Sequence, residues 1–219
     1  FDRNLIVIGG GAGGLVSAYI AAVVKAKVTL VEAHKMGGDC LNYGCVPSKA
    51  LIRSAKLAHQ MRHGADYGLR NAAPDFSFKA VMQRIEQVIR TIAPHDSVER
   101  YTALGVEVLQ GHARIVNPWT VEIALNDGGT QTLTTRSIVI AAGARPVVPP
   151  LPGLDDVGSV TSDTLWDVFA LPAAVPLRLV MLGAGPIGCE LALAVARLGA
   201  DVAHLEKGAR FLSLVDAEV

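Results

Sequence analysis

The stretch LIVIGGGAGGLVSAYIAAVVKAKVTLVE, residues Leu5 to Glu32, decides the fold. An apolar strand leads into G-x-G-x-x-G at Gly9, Gly11 and Gly14, and a helix rich in small residues and a second apolar strand follow. The first glycine allows a tight turn, the second lets the backbone approach a pyrophosphate, and the third lets the helix pack close to the strand. The pyrophosphate then meets the helix N-terminus, and the final acid accepts hydrogen bonds from a ribose. The stretch therefore predicts a dinucleotide-binding βαβ unit.

The same pattern occurs near the other end of the sequence. LVMLGAGPIGCELALAVARLGADVAHLE, Leu179 to Glu206, aligns with the first stretch without a gap. In both copies the acid follows the first glycine by 23 residues, from Gly9 to Glu32 and from Gly183 to Glu206. A single glycine motif is weak evidence, because glycine-rich turns are common, whereas two complete copies are specific. We expect an α/β chain with two Rossmann-like domains that binds two dinucleotides.

The residues between the two copies predict an insertion in the first domain. Residues 77–104 have helical spacing, disturbed near Pro94, and residues 105–135 alternate and turn like a small antiparallel β-meander. RSIVIAAGARP then predicts a return to a buried strand that ends at Gly143.

The predicted domain boundary lies in the proline-rich segment VVPPLPG, which is the best linker candidate. We place the first domain at residues 1–148 and the second at residues 149–219, with the chain ending inside the second domain.

Composition excludes several classes of function. The 20 basic and 20 acidic residues balance, which gives no electrostatic case for binding nucleic acid or an anionic membrane. Hydrophobic residues make up 51% of the sequence, as expected for parallel strands buried on both faces. The longest uncharged apolar run, LVSAYIAAVV, is about half a membrane span. The first residues enter a strand without the layout of a signal peptide, so we expect a cytoplasmic protein.

Two of the three cysteines, Cys40 and Cys45, lie in GGDCLNYGCVPSK. In a regular helix, residues five apart have Cα atoms roughly 8–9 Å apart, whereas a disulfide needs about 4.4–6.8 Å. Pairing therefore requires a distortion, which Asn42 and Gly44 permit. Pro47 suits the first turn of a helix, which places Cys45 at a helix N-terminus, where the macrodipole favours a thiolate.

Two other uses of these cysteines are less well supported. Zinc sites take four Cys or His ligands, but Cys189 stands alone and the six histidines are scattered, so we expect no metal. A static disulfide is rare in reducing compartments. A redox-active pair remains, and it needs a source of electrons.

Together these motifs resemble the class I pyridine nucleotide–disulfide oxidoreductases, which include dihydrolipoamide dehydrogenase, glutathione reductase and mercuric reductase. The resemblance covers essentially all 219 residues, and GGxCxNxGCxPSK is among the family's most specific signatures. It implies FAD at the first repeat and a nicotinamide nucleotide at the second. GAGPIGCE and SKALIRSAK are most similar to members described as mercuric-reductase-like.

The resemblance also implies roles for individual residues. Cys45 corresponds to the charge-transfer thiol against the flavin, and Cys40 to the interchange thiol that meets substrate. Lys49 corresponds to a lysine near the reactive edge of the flavin, paired with Glu190, a pair that would tie the two domains together. Without the motif, these two residues would be a solvated helix lysine and a helix-surface acid. Cys189 has no family role and is expected to be a small core residue.

Two sets of cofactor contacts follow from the resemblance, with Gly111 opening the segment beside the adenine. The expected FAD contacts are Gly9, Gly11, Ala12, Gly13, Gly14, Glu32, Ala33, Gly38, Asp39, Cys40, Cys45, Lys49, His112, Ala113, Ala142 and Gly143. The expected nicotinamide nucleotide contacts are Gly183, Gly185, Pro186, Ile187, Gly188, Glu190, Glu206 and Lys207.

NADH is expected over NADPH, because the Glu206 carboxylate accepts both ribose hydroxyls and would repel a 2′-phosphate. Lys207 and Arg210 are the opposing evidence, since both follow the strand and could reach a phosphate.

The sequence departs from the family pattern at two positions. Asp39 stands where threonine is common and, if close, disfavours the Cys40 thiolate. Pro186 stands where many members carry a tyrosine that covers the flavin.

A whole family member continues for about as many residues again, so we expect this chain to be an N-terminal part. The implied activity is two-electron transfer from NADH through flavin and the cysteine pair to a small-molecule or small-protein disulfide, or the reverse, in a homodimer. A mercuric-ion reductase with the same dithiol is one alternative. A non-catalytic flavoprotein partner is another, and a module that only binds has no need of Cys40, Cys45, Lys49 and Glu190.

Overall fold

A computed structural model of the chain describes residues 1–171, 174–176, 178–213 and 215–216. Within these residues the strands and α-helices, in chain order, are β1 Arg3–Ile8, α1 Ala12–Val23, β2 Val28–Glu32, α2 Gly38–Asn42, α3 Cys45–Arg62, α4 Phe78–Ile92, α5 Val98–Ala103, β3 Val106–Asn117, β4 Thr120–Leu125, β5 Thr130–Ile140, α6 Leu154–Val157, α7 Leu165–Ala170, β6 Arg178–Leu182, α8 Pro186–Leu198 and β7 Asp201–Leu205.

Contacts divide the chain into two compact units. One unit contains Phe1–Val46 and Ile89–Asp163, and the other contains Pro47–Val88 and Thr164–Val219. These limits differ from the predicted domains in two places: residues 47–88 belong to the second unit, and residues 149–163 belong to the first. The functional boundary near residue 148 therefore stays a prediction.

The five strands of the first unit close on themselves in the order β1-β2-β3-β4-β5. Four neighbouring segments pair in parallel, in the order first half of β3, all of β2, all of β1 and last part of β5. In this part of the sheet, Leu5 lies opposite both Val28 and Ser137. The remainder of β3 and β5 pairs antiparallel with β4. The predicted parallel sheet and inserted meander are thus both present, and they share two continuous strands.

Gly111 lies where β3 changes its neighbour from β2 to β4. A Cβ built on Gly111 would lie 2.4 Å from the carbonyl oxygen of Ala124, closer than real Cβ atoms approach. The close approach of β4 at this corner therefore requires glycine.

The core of the first unit lies on both faces of the parallel strands, because successive side chains alternate. Val7 packs with Leu15 and Ala18 of α1, whereas the adjacent Ile6 packs with Val121 on the meander side. All five residues of β2 are buried. This double burial accounts for the apolar strands and for the small residues on α1, which let the helix approach the sheet.

The segment after the cysteines and the predicted long helix both have the expected interruptions. Turn residues 43 and 44 separate α2 from α3, so Cys45 is the first residue of α3, as predicted. A 3-10 turn, Ala93–Asp96, separates α4 from α5 at Pro94, whose ring nitrogen cannot donate the helical hydrogen bond.

One strand prediction was wrong in its limits and burial. Residues 136–140 are not a separate strand but the end of β5, which stops at Ile140, three residues before Gly143. The Ile140 side chain is 70% exposed, so this end of β5 is not buried on both faces.

The second unit contains the second repeat as predicted. β6 and β7 pair in parallel, with Leu179 opposite Val202, and α8 connects them. The buried face of α8 includes Leu191, Val195 and Leu198, and the helix ends at Gly199 in the left-handed region, with φ of +111°. Left-handed glycine after a helix is the common way to end it.

Candidate functional site

The first glycine turn is shaped by two close backbone approaches. Gly9 has φ of +108°, and a Cβ there would lie 2.1 Å from the carbonyl oxygen of Ala141. A Cβ on Gly14 would lie 1.8 Å from the carbonyl oxygen of Gly9. Gly11 is the N-cap of α1, and a Cβ there would make only an ordinary contact, 3.6 Å from the Gly38 Cα atom. The first and third glycines therefore serve packing, and the second leaves the helix N-terminus bare.

Glu32 lies under this turn and is almost fully buried, with 9% of the residue exposed. One carboxylate oxygen accepts the Gly10 N–H over 2.5 Å, and the other accepts the His34 N–H over 2.7 Å. The acid at the end of β2 therefore holds the glycine turn in place, a role that the sequence pattern did not predict.

A cavity of about 400 Å³ opens between the glycine turn, the start of α2, the β3 corner and the segment after β5. The expected FAD contacts that line it are Gly9, Gly11, Glu32, Ala33, Gly38, Asp39, His112, Ala113, Ala142 and Gly143, together with Gly111.

The other expected FAD contacts do not line the cavity. Ala12, Gly13 and Gly14 lie in the first turns of α1, behind the glycine turn. Cys40, Cys45 and Lys49 lie farther along α2 and α3.

Sequence reasoning missed several residues that line the same cavity. The His34 and His112 rings meet edge to face with centroids 5.4 Å apart. Lys35 places its Nζ atom 5.3 Å from the Tyr43 ring centroid. These residues adjoin recognised motifs, so position was an available signal. Asn42, Ala144 and Arg145 also line the cavity and lie within the quoted segments GGDCLNYGCVPSK and RSIVIAAGARP, whereas Asp163 gave no signal.

The segment with the cysteines is anchored by backbone and amide contacts. The Asn42 side-chain amide donates to the Met36 and Gly38 carbonyls over 3.1 and 2.8 Å. The Gly44 N–H donates to the Asp39 carbonyl over 2.7 Å. These bonds end α2 and turn the chain so that Cys45 returns towards Cys40.

Both cysteines are thiols in this structure, and their side chains are hydrogen-bonded. This hydrogen bond raises the pKa of Cys40 to about 11, with burial and the nearby Asp39 acting in the same direction. Asp39 itself has a raised pKa, first because it is partly buried and then because Asp163 is close. The expectation that Asp39 disfavours the Cys40 thiolate is confirmed in direction, although the bond to Cys45 dominates.

The second glycine turn repeats the geometry of the first. Gly183 has φ of +94°, and a Cβ on Gly188 would lie 2.1 Å from the Gly183 carbonyl oxygen. A Cβ on Gly185 would meet nothing within 4 Å. Pro186 is the first residue of α8, and Ile187 after it is 65% exposed.

Glu206, the residue directly after β7, corresponds to Glu32 in its contacts. Its carboxylate accepts the Gly208 N–H over 2.8 Å and the Ala184 N–H over 2.7 Å. These two backbone donors hold the pKa of Glu206 below its usual range, so the residue is ionised at neutral pH. Lys207 beside it is exposed.

Lys49 of α3 and Glu190 of α8 form an ion pair, as the resemblance implied. Their side chains are 60% and 44% exposed. Cys189, adjacent to Glu190, is partly buried and its sulfur lies 3.5 Å from the Ala184 carbonyl oxygen.

Among the residues with described positions, no helix is long and apolar enough to cross a membrane. The same part of the chain contains no group of three or more His, Cys, Asp or Glu residues that could hold a metal ion.

Two glycine turns define a class of α/β proteins when each is hydrogen-bonded to an acid and a dithiol lies beside the first. The family profile described as pyridine nucleotide-disulphide oxidoreductase matches residues 3–219, and the chain belongs to this family.

Relatives with two different names are similar to the chain. A dihydrolipoyl dehydrogenase of Zymomonas mobilis is 36% identical over 219 residues, covering 99% of this chain and 45% of that protein. A mercuric reductase of Bacillus cereus is 32% identical, covering 100% and 33%. An HOCl-induced flavoprotein disulfide reductase of Escherichia coli, solved as a Cu(II) complex, superposes with a TM-score of 0.80 at 26% identity, covering 100% and 45%. The chain thus spans less than half the length of these relatives.

Proposed function

We propose that this chain is part of an FAD-dependent enzyme that passes two electrons between a nicotinamide nucleotide and a disulfide or dithiol through Cys40 and Cys45. One contact carries the proposal. The Gly37 N–H donates to the Gly10 carbonyl over 2.9 Å, and a Cβ on Gly38 would lie 2.6 Å from the Gly11 Cα atom. The segment with both thiols therefore begins against the turn suited to a pyrophosphate.

The residues of the first unit fit FAD. Gly11 has no side chain to cap α1, so the first N–H groups of this helix are available to a pyrophosphate. The cavity of about 400 Å³ has the size of a cofactor site, and Glu32 lies in its wall. FAD, when bound, supplies a two-electron relay between the nicotinamide and the cysteine pair. We assign the expected contacts to it on this basis.

The cysteine pair supports a balanced exchange. The Cys40 thiolate attacks one sulfur of a substrate disulfide and releases the other as a thiolate, and the resulting mixed disulfide is then attacked by Cys45. The dithiol loses two electrons and two protons as it becomes a disulfide, and the substrate gains them as two thiols. The reduced nicotinamide restores the pair. Because its pKa is raised to about 11, Cys40 is protonated at neutral pH and must lose this proton before its sulfur attacks the substrate disulfide.

Mercuric-ion reduction is a second candidate, because relatives named mercuric reductase match the chain at 32–38% identity. Hg(II) is then the substrate, and two thiolates are the soft ligands that such an ion prefers. The same dithiol serves both candidates.

One experiment separates these functions in the full-length protein. After acid release and identification of the flavin, oxidation of NADH is followed with lipoamide, glutathione disulfide or Hg(II) as the acceptor. Turnover with a disulfide that is lost in Cys40→Ser supports the proposal, whereas turnover only with Hg(II) supports the second candidate. Folded protein without flavin, or turnover that is unchanged in Cys40→Ser, would contradict both candidates. Flavin-loaded protein that turns over with none of the acceptors would leave a non-catalytic binding partner.

Three finer features belong to the same proposal. Glu206 supports NADH over NADPH, because its ionised carboxylate would repel the 2′-phosphate of NADPH. The family resemblance supports a homodimer, to be checked by the mass of the full-length protein in solution. The need for reduced nicotinamide nucleotide and reduced thiols supports a cytoplasmic location.

A further inference from the structure

The second glycine turn has a side-chain contact that the first turn does not repeat. The His204 Nε2 atom lies 3.0 Å from the carbonyl oxygen of Gly183. A carbonyl oxygen can only accept a hydrogen bond, so the Nε2–H group of His204 is the donor. Phe211 packs edge to face on the imidazole with ring centroids 4.7 Å apart, which fixes the orientation of the ring.

His204 and Glu206 hold opposite ends of one peptide unit. The Gly183 carbonyl accepts from His204, and the Ala184 N–H of the same peptide bond donates to Glu206 over 2.7 Å. The two side chains are two positions apart at the end of β7 and therefore point to the same side of the strand.

The first repeat has only half of this arrangement. Glu32 holds the Gly10 N–H over 2.5 Å, as Glu206 holds that of Ala184. The residue aligned with His204 is Leu30, a fully buried side chain without a donor. The added contact in the second repeat therefore fixes the plane of the Gly183–Ala184 peptide. Gly183 has φ of +94°, and a glycine in this region lets the peptide flip against little steric resistance.

Pro186 gives this contact a consequence for binding. It occupies the first position of α8, where the first repeat has Ala12, and proline has no N–H to offer a pyrophosphate. With one donor fewer, the second turn relies more on the orientation of its remaining N–H groups. An oriented turn loses less conformational entropy when the nucleotide binds.

We propose that His204 is a positioning residue of the nicotinamide nucleotide site, which clamps the Gly183–Ala184 peptide together with Glu206. This inference rests on the proposed function of the second repeat. It assigns to His204 no contact with the nucleotide and no part in electron transfer.

The test compares His204→Leu, His204→Met and His204→Gln in the full-length holoenzyme. Leucine restores the residue of the first repeat, methionine is a second variant without a donor, and glutamine keeps a side-chain N–H. Loss of one hydrogen bond that orients the turn is expected to raise the Kd and KM for the reduced nucleotide about 3- to 10-fold in the Leu and Met variants. The kcat at saturation and the flavin content should stay within twofold of wild type. The Gln variant should recover most of the affinity.

Hydrogen exchange without nucleotide gives a second measurement. The Ala184 amide should exchange several-fold faster in His204→Leu than in wild type. The matched control with no change is His63→Leu, because His63 is an exposed histidine directly after α3 whose ring also contacts a backbone carbonyl, that of His59, over 2.8 Å. Unchanged Kd and exchange in the Leu and Met variants would overturn the proposal, as would a Gln variant as weak as Leu. A wild-type protein that binds no nicotinamide nucleotide would instead overturn the proposed function, and the role of His204 with it.

Discussion

Lys49 and Glu190 form an ion pair that joins α3 to α8 across 141 positions of the sequence. Because both side chains are about half exposed, the pair stabilises the folded chain by at most about 1 kcal/mol. The proposed function assigns this pair to the site of electron transfer, and that assignment can be separated from its small contribution to stability.

We predict that Glu190→Gln slows reduction of the full-length enzyme by NADH about tenfold while changing its Tm by less than about 3 °C. A charge near the reacting atoms contributes about 1–3 kcal/mol to a barrier, and about 1.4 kcal/mol corresponds to tenfold. Stopped-flow reduction and thermal unfolding measure the two effects. The control is Glu122→Gln, which breaks the comparably exposed Arg114–Glu122 pair of the meander and should change neither. Equal reduction rates in the two variants would remove Glu190 from the site.

The thiol pair gives a prediction about pH. A raised pKa favours the neutral form, so Cys40 stays a thiol from neutral pH until the pH approaches about 11. Its alkylation by iodoacetamide in the reduced protein should therefore be slow at pH 8 and accelerate above pH 9. Removing the hydrogen bond from Cys45 should lower the pKa, so that Cys45→Ala alkylates several-fold faster at Cys40 at pH 8. Peptide mass spectrometry follows the rate, and an identical rate in both proteins would show that the bond does not control Cys40.

Glu206 gives a prediction about the nucleotide. Its two backbone hydrogen bonds keep it ionised, and Arg210 donates to the Ser213 and Val215 carbonyls over 3.1 and 2.9 Å, which engages that guanidinium within its own loop. We expect kcat/KM at physiological salt to favour NADH by at least fivefold, and Glu206→Gln to reduce the preference. A preference for NADPH that Lys207→Ala abolishes would show that the basic residue dominates.

The glycines of the second turn should separate binding from folding. A Cβ on Gly185 meets nothing within 4 Å, whereas one on Gly188 would lie 2.1 Å from a backbone carbonyl. Gly185→Ala should therefore leave the Tm within about 2 °C and raise the KM for the nucleotide about tenfold, by filling the space of the pyrophosphate. Gly188→Ala should lower the Tm by about 5 °C or more, because the clash is with backbone. Equal Tm losses in the two variants would contradict this division.

Local sequence patterns predicted the parts of the site that adjacent residues determine. The glycine spacing fixed both turns, and Pro47 with the preceding glycine marked the start of α3 at Cys45. Contacts between distant segments left no such trace. Asp163 enters the cavity from a loop over a hundred residues after Asp39, and no period or motif marks it. The closed strand order depends on long-range pairing at Gly111. The sequence pattern assigned this glycine only to a segment beside the adenine and did not predict its place at the corner of β3.

The sharing of β3 and β5 between two sheets limits how this unit can change in length. Each of the five strands has two neighbours, so a one-residue insertion within β3 beyond Gly111 would shift its register against β4 and reverse which side chains face inward. The two hairpin tips, residues 118–119 and 126–129, lie outside this coupling. In the second tip the Asn126 side chain donates to the carbonyl of Ala33, which lines the cavity. A foreign segment or an affinity tag placed at residues 118–119 or 127–129 would avoid this contact, which makes these two turns the positions for attaching a probe to the folded protein.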